Sequence, residues 1–298
     1  MSLLEHCIIP DWPAPANVKA LQTTRIGGIS STPYDSFNLG DHVGDEPLSV
    51  ERNRMLLNTL LPSEPVWLQQ VHGTVVANAD IAGSGCDTLL INPLATRLGE
   101  KATLAKSLVM AKPADCGSSR TTALLAPESS TAPSGGGCLP QADACIARHR
   151  AAVCVVMTAD CLPVLLCDTQ GSVVGAAHAG WKGLAAGVIE ATVHAMEVAP
   201  QNLMAWLGPA ISQEAFEIGD EVRAMFVDAD PQTVAAFIPG RSGKWYADIY
   251  VLARLRLNAS GITSIHGGGY CTYRESEHFF SYRRDGATGR MGTFIWLE

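Results

Sequence analysis

Residues 158–183 read TADCLPVLLCDTQGSVVGAAHAGWKG. Within and just before this stretch, Ala152–Thr158, Pro163–Cys167 and Ser172–Ala177 are short apolar runs, a pattern that predicts consecutive strands. Residues 168–171 supply a turn, and Gly180 to Gly183 break the last strand. Leu184 to Val198 (LAAGVIEATVHAMEV) then carries helical apolar spacing, with Glu190 and His194 expected toward solvent. Cys161 therefore enters one strand and His178 leaves another, seventeen residues later. Antiparallel pairing of those strands would bring the two residues within reach of one ion, and a soft thiolate beside an imidazole suits zinc or copper. His72, in VWLQQVHG (66–73), offers a third donor at the expected end of an apolar run. Single buried Cys and His residues are commonly structural, so spacing alone leaves the ligand set open.

Composition narrows the setting. The 298 residues are 47% hydrophobic, enough for a sizeable core. A net charge of −8 provides no basic footprint, which argues against nucleic acid or an anionic membrane surface as partner. Nine scattered cysteines, an odd number, predict reduced thiols rather than a disulfide framework. The opening MSLLEHCIIPDWPAP lacks the pattern of a signal peptide, and no apolar stretch reaches the roughly 18 residues of a spanning helix. The expectation is a soluble, cytoplasmic protein.

Further motifs lie in order along the chain: TTRIGGIS (23–30), PYDSFNLGDHVGD (33–45), VERNR (50–54), QQVHG (69–73), ADA (142–144), AWLGPAIS (205–212), FEIGDEV (216–222), ADIY (247–250), CTY (271–273) and FFSYRRDGATGRMGTFIWL (279–297). Together with TADCLPVLLCD and AAHAGWKG they resemble the laccase-domain family, also called polyphenol oxidase, purine nucleoside phosphorylase or peptidoglycan editing factor. The resemblance implies one catalytic domain over residues 1–298. It also implies an α/β mixed-sheet sandwich with flanking helices, similar to the catalytic domain of the cytotoxic necrotizing factors. It implies a catalytic zinc on His72, Cys161 and His178, and phosphorolysis of adenosine, inosine, guanosine and methylthioadenosine with adenosine deamination besides. The partners would then be a purine nucleoside and inorganic phosphate.

Three protein ligands leave a tetrahedral ion one open position, as in catalytic rather than structural zinc sites. Phosphorolysis additionally needs groups that hold phosphate, for which Arg25, Asn38 in the NLG motif and Arg54 are candidates. Each could equally be a salt-bridge or turn residue. Asp160, beside the thiol, could carry a proton or cap a turn.

Other chemistries are weighed by what they require. The H-x-E and P-C-x-x-C signature of the known nucleobase deaminases is absent, since the chain has no C-x-x-C. A multicopper oxidase needs many imidazoles, whereas this chain has eight histidines and no H-x-H; copper in the three-donor site would allow only weak phenol oxidation. A metal-free alternative makes Cys161 the nucleophile and His178 the base of a hydrolase editing peptidoglycan precursors.

Sixty-eight residues separate Gly73 from Ala142, more than the family pattern has, which points to an insertion at about 82–140. Gly117–Gly137 is rich in Gly, Ser, Thr, Ala and Pro and reads as a mobile loop. Ala95–Met110 has the spacing of a short helix, and the spacing of Cys86, Cys116, Cys138 and Cys145 matches no standard zinc pattern. Gly267–Gly269 predicts a tight turn rather than a dinucleotide loop. Trp181 is expected to pack beneath the site, with stacking on a purine as the alternative. Arg283 and Arg284 are candidates either for phosphate or for carboxylates that lock the C-terminal strand.

Overall fold

The computed structural model describes residues 2–81, 90–91 and 139–298. The helix expected over Ala95–Met110, the Gly117–Gly137 loop, Cys86, Cys116 and Cys138 lie outside the described residues. In chain order the strands are β1 (Val18–Gln22), β2 (Val76–Asn78), β3 (Leu90–Ile91), β4 (Ala144–Ala147), β5 (Cys154–Thr158), β6 (Leu162–Asp168), β7 (Val174–Ala179), β8 (Leu203–Leu207), β9 (Glu217–Gly219), β10 (Phe237–Pro239), β11 (Lys244–Ala247), β12 (Ser264–Gly267) and β13 (Met291–Leu297). The helices are α1 (Pro47–Asn58), α2 (Trp181–Ala186), α3 (Val188–Ala195), α4 (Asp220–Ala229), α5 (Ile249–Ala259) and α6 (Tyr282–Asp285).

The fold is α/β, with mixed sheets and flanking helices. Among the described residues the largest sheet has the order β12-β8-β6-β7-β4-β2-β3. Its β12–β8 and β4–β2 pairs are parallel and the remaining pairs antiparallel. β3, from within the stretch expected to be inserted, forms its edge on β2. A second sheet, β1-β13-β5, is antiparallel throughout. A third, β10-β11-β9, carries α4.

Period-2 alternation explains how the first sheet is covered on both faces. Leu162, Val164 and Leu166 of β6, with Leu203, Ala205 and Leu207 of β8, share one core with Val188 and Ile189 of α3 and Leu252 and Leu257 of α5. The intervening Leu165, Cys167, Met204 and Trp206 belong to a second core with Cys154 and Val156 of β5 and Ile295 and Leu297 of β13. A strand buried on both faces reads as a continuous apolar run, which is why LPVLLC shows no alternation in sequence.

The three central strands lie where their apolar runs place them. The helix differs: it starts at Trp181, not Leu184, and is split where Gly187 takes φ +100°, a conformation that glycine tolerates readily. His194 is exposed, but Glu190 is half-buried and pairs with Arg256 of α5 at 3.1 Å. Gly267 ends β12 rather than lying in a tight turn, and Gly267, Gly268 and Gly269 all have positive φ; a Cβ on Gly267 would clash with the Leu207 carbonyl oxygen. The described cysteines are free thiols.

Leu165 is fully buried between the two sheets. Leu165→Ala is expected to destabilise the protein by about 2–5 kcal/mol through lost burial and an unfilled cavity. Denaturant unfolding measures this, and a loss below about 1 kcal/mol would contradict the described packing.

Candidate metal centre

The antiparallel register of β6 and β7 pairs Leu162 with Ala179 and Pro163 with His178. Cys161, one residue before β6, consequently lies across from Gly180. On the other side of β7, Ala144 of β4 pairs with Ala177, so the next position brings Asp143 opposite His178. The backbone N–H of His178 donates to the Asp143 carbonyl at 2.7 Å, and its Nδ1 meets Asp143 Oδ1 at 2.9 Å. An ionised carboxylate only accepts, so Nδ1 carries the proton and Nε2 is left free for an ion.

His72 comes from a loop before β2 rather than from a strand end, and its φ of +60° is uncommon for a non-glycine residue. What holds that loop is again Asp143. Its carboxylate accepts the backbone N–H groups of Val71 at 3.1 Å, His72 at 2.9 Å and Gly73 at 2.6 Å. Asp143 thus orients one imidazole through its ring and the other through its backbone. Burial alone would raise its pKa, yet the hydrogen bonds from His178, Gly73 and His72 leave it below the usual carboxylate value.

The donor atoms of His72, Cys161 and His178 all lie within 4.8 Å of one another, with Cys161 Sγ 3.9 Å from His72 Nε2. Donors around a tetrahedral zinc stand roughly 3.3–3.5 Å apart, given Zn–N and Zn–S bond lengths of about 2.0 and 2.3 Å. The cluster is therefore close to the size a single ion needs, and its N₂S donor set leaves a coordination position open. It can hold a metal. Desolvation would raise the Cys161 thiol, but His178 and His72 outweigh it and hold the group at about 6. Desolvation would lower His178, yet the Cys161 thiolate and Asp143 raise it to about 9. The two shifts favour the thiolate and the imidazolium over the neutral pair, and a bound cation would take the proton's place.

Gly180 makes the cluster sterically possible. A Cβ there would lie 2.9 Å from both Cys161 Sγ and His72 Cδ2, and 3.5 Å from His178 Nε2. Its φ of −63° suits any residue, so the requirement is for space rather than for conformational freedom.

The cluster opens into a cavity of about 330 Å³. His72 and Cys161 line it together with the apolar Trp181, Ile211, Phe216 and Ile249. Trp181 does both things a tryptophan could do here, packing on the core and facing the cavity. Asp160 also lines it, with φ +99°. Its oxygens accept from Thr272 Oγ1 and the Arg283 backbone N–H, both at 2.7 Å, which ties the α6 segment to the thiol loop.

Arg25, Asn38 and Arg54 are absent from the cavity lining. Arg25 donates to the carbonyls of Asp35 and Ser276 and pairs with the Asp35 carboxylate. Asn38, fully buried, donates to Gly40 O and Asp45 Oδ2 and accepts from the backbones of Gly40 and Arg290. Arg54 lies over the Trp67 ring at 3.9 Å and donates to Leu39 O. In these contacts the polar groups of the three residues tie loops together. Arg284 likewise pairs with Asp285 and donates to the carbonyls of Thr272, Tyr273 and Phe279.

Residues 19–298 match the family described as multi-copper polyphenol oxidoreductase laccase. The chain belongs to that family. A purine nucleoside phosphorylase of Pseudomonas aeruginosa is 43% identical over 98% of each chain, and the purine nucleoside phosphorylase YfiH of Escherichia coli is 45% identical over 99% of this chain and all of its own. A solved Neisseria meningitidis protein, 42% identical, superposes with a TM-score of 0.78 over 98% of this chain and 99% of its own. YlmD of Geobacillus stearothermophilus, 26% identical, gives 0.73 over 96% and 94%. The family's ADA motif held the one signal for Asp143, but no spacing rule links it to His178.

Two substitutions test the geometry. Asp143→Asn replaces an acceptor with a group that carries two donors, so zinc affinity measured against a chromophoric chelator is expected to fall about 10- to 100-fold. Undiminished affinity would remove Asp143 from the metal centre. Gly180→Ala is expected to weaken zinc in the same titration while thermal unfolding still shows a cooperative transition; full zinc affinity would show that the cluster relaxes around the added methyl.

Proposed function

We propose that the chain is a purine nucleoside phosphorylase with zinc on His72, Cys161 and His178, and that it deaminates adenosine as a second activity in the cytoplasm. The observation that carries this reading is the His–Cys–His cluster, braced by Asp143, at a cavity within the size range of small-molecule sites. The names of the similar Pseudomonas and Escherichia proteins favour the same reaction.

In phosphorolysis a phosphate oxygen bonds to C1′ of the ribose and the C1′–N9 bond breaks, its electron pair leaving with the purine, which gains a proton. The apolar wall of Trp181, Phe216 and Ile249 would receive the base and exclude water. Asp143 would keep His178 Nδ1 protonated and its Nε2 directed at the ion, and Asp160 would hold Arg283 against the cavity. The metal, when bound, supplies Lewis acidity at the cavity floor. Deamination would replace the C6 amino group of adenine with oxygen from water and release ammonia.

Copper suits the same donors, so weak phenol oxidation is expected of copper-loaded protein alone. A second reading has its own support: the Cys161 thiolate beside the His178 imidazolium matches the nucleophile and base of a cysteine hydrolase, here one acting on peptidoglycan precursors. One bound zinc per chain would exclude that role for the same thiolate.

The decisive assay is chromatography of zinc-loaded protein with adenosine, with and without inorganic phosphate, beside His178→Ala. Phosphate-dependent release of adenine is expected, falling together with zinc content in the variant. No turnover of adenosine, inosine or methylthioadenosine by zinc-loaded protein would defeat the reading and turn attention to Cys161 as a nucleophile.

A further inference from the structure

The walls of the cavity carry two cations that the metal centre does not use. Lys182 follows Trp181 at the start of α2, and Arg283 lies within α6; both line the space that His72 and Cys161 line. Neither forms an ion pair with a carboxylate among the described residues. Lys182 has its ammonium 5.5 Å from the Trp181 ring centre and is exposed. Arg283 is oriented without being neutralised. One of its terminal nitrogens donates to the Glu217 carbonyl at 3.0 Å, and its backbone N–H is held by Asp160.

What points to a ligand is the place of both cations on the wall of the cavity beside the metal centre. Arg25, Arg54, Arg256, Arg274 and Arg284 each have a carboxylate partner, and Arg52, Arg150, Arg223, Arg241, Lys244, Arg254 and Arg290, which lack one among the described residues, do not line this cavity. The carboxylate that lines the cavity, Asp160, accepts from Thr272 Oγ1 and from the Arg283 main chain. Two cations without a carboxylate ion pair, on a wall that also carries Trp181, Ile211, Phe216 and Ile249, favour a compact anion. A guanidinium and an ammonium together supply a planar fork and a point charge, a combination suited to tetrahedral oxyanions.

We propose that Lys182 and Arg283 form the phosphate subsite, binding the inorganic phosphate that attacks C1′ while the nucleoside lies along the Trp181 and Phe216 wall. The inference rests on the phosphorylase reading for its reaction, but not for its ligand. Arg283 binds and orients phosphate, Lys182 neutralises it, and the anchored α6 segment keeps the fork in place.

The test uses the zinc-loaded, full-length protein. Steady-state phosphorolysis of inosine at varied phosphate is compared for wild type, Lys182→Met, Arg283→Met and Arg283→Lys, with zinc content and thermal unfolding confirming that each variant is folded and loaded. Each methionine variant is expected to raise the KM for phosphate by about tenfold or more, with the KM for inosine changed much less. Arg283→Lys should recover part of the loss, and if Arg283→Met does not fold it carries the same test, as a smaller rise. An unchanged KM for phosphate, or equal rises for both substrates, overturns the subsite. Calorimetric titration with inorganic phosphate separates this failure from that of the parent reading. Binding by wild type that is lost in Lys182→Met and Arg283→Met, and weakened in Arg283→Lys, upholds the subsite even if no nucleoside is cleaved; equal binding by all four proteins refutes it even if phosphorolysis occurs.

Discussion

The site depends on one buried carboxylate. Asp143 accepts three consecutive backbone N–H groups from the His72 loop and the ring N–H of His178, while its own carbonyl takes the His178 amide. A buried carboxylate without partners would be protonated or excluded from the interior. Here each donor that satisfies it belongs to the segment of another member of the cluster, so desolvating Asp143 and assembling the metal centre are one event. The left-handed backbone of His72 is tolerated because three hydrogen bonds over-determine the loop.

The sheets bring those segments to one place. β4, β6 and β7 are neighbours, and their ends deliver Asp143, Cys161 and His178 in register. Both faces of this sheet are covered, by α3 and α5 on one side and by β5 and β13 on the other, so a slipped strand would lose its close packing against both layers. α2 follows immediately at Gly180, where the absence of a Cβ leaves the cluster its space. A rigid, doubly covered sheet ending in a small opening is a suitable mount for donors that must stand within a few ångströms of each other.

Charge is arranged to match. Most arginines of the family motifs bind carbonyls and carboxylates that tie distant loops together, as Arg25 joins residues 35 and 276, and Arg54 braces the loop around Leu39. Their presence in motifs such as TTRIGG and VERNR reflects the assembly of loops as much as chemistry. The cations facing the cavity come from the helix after HAG and from the YRRD segment instead.

The sequence by itself determined the central strands, the turn between β6 and β7, and the placement of Cys161 and His178 at neighbouring strand ends. Those features follow from local apolar runs and turn residues, which act over a few positions. It also carried enough family motifs to mark His72. The role of Asp143 was not legible, because its pairing with His178 arises from the β4–β7 register, which joins residues 35 apart in sequence. The need for glycine at 180 depends on where three other side chains converge. The difference between Arg283, facing the cavity, and Arg284, tied to Asp285, was likewise unreadable in the dipeptide. Adjacent residues of a helix point in different directions, and only the packed structure decides which one pairs with a carboxylate and which one lines the cavity.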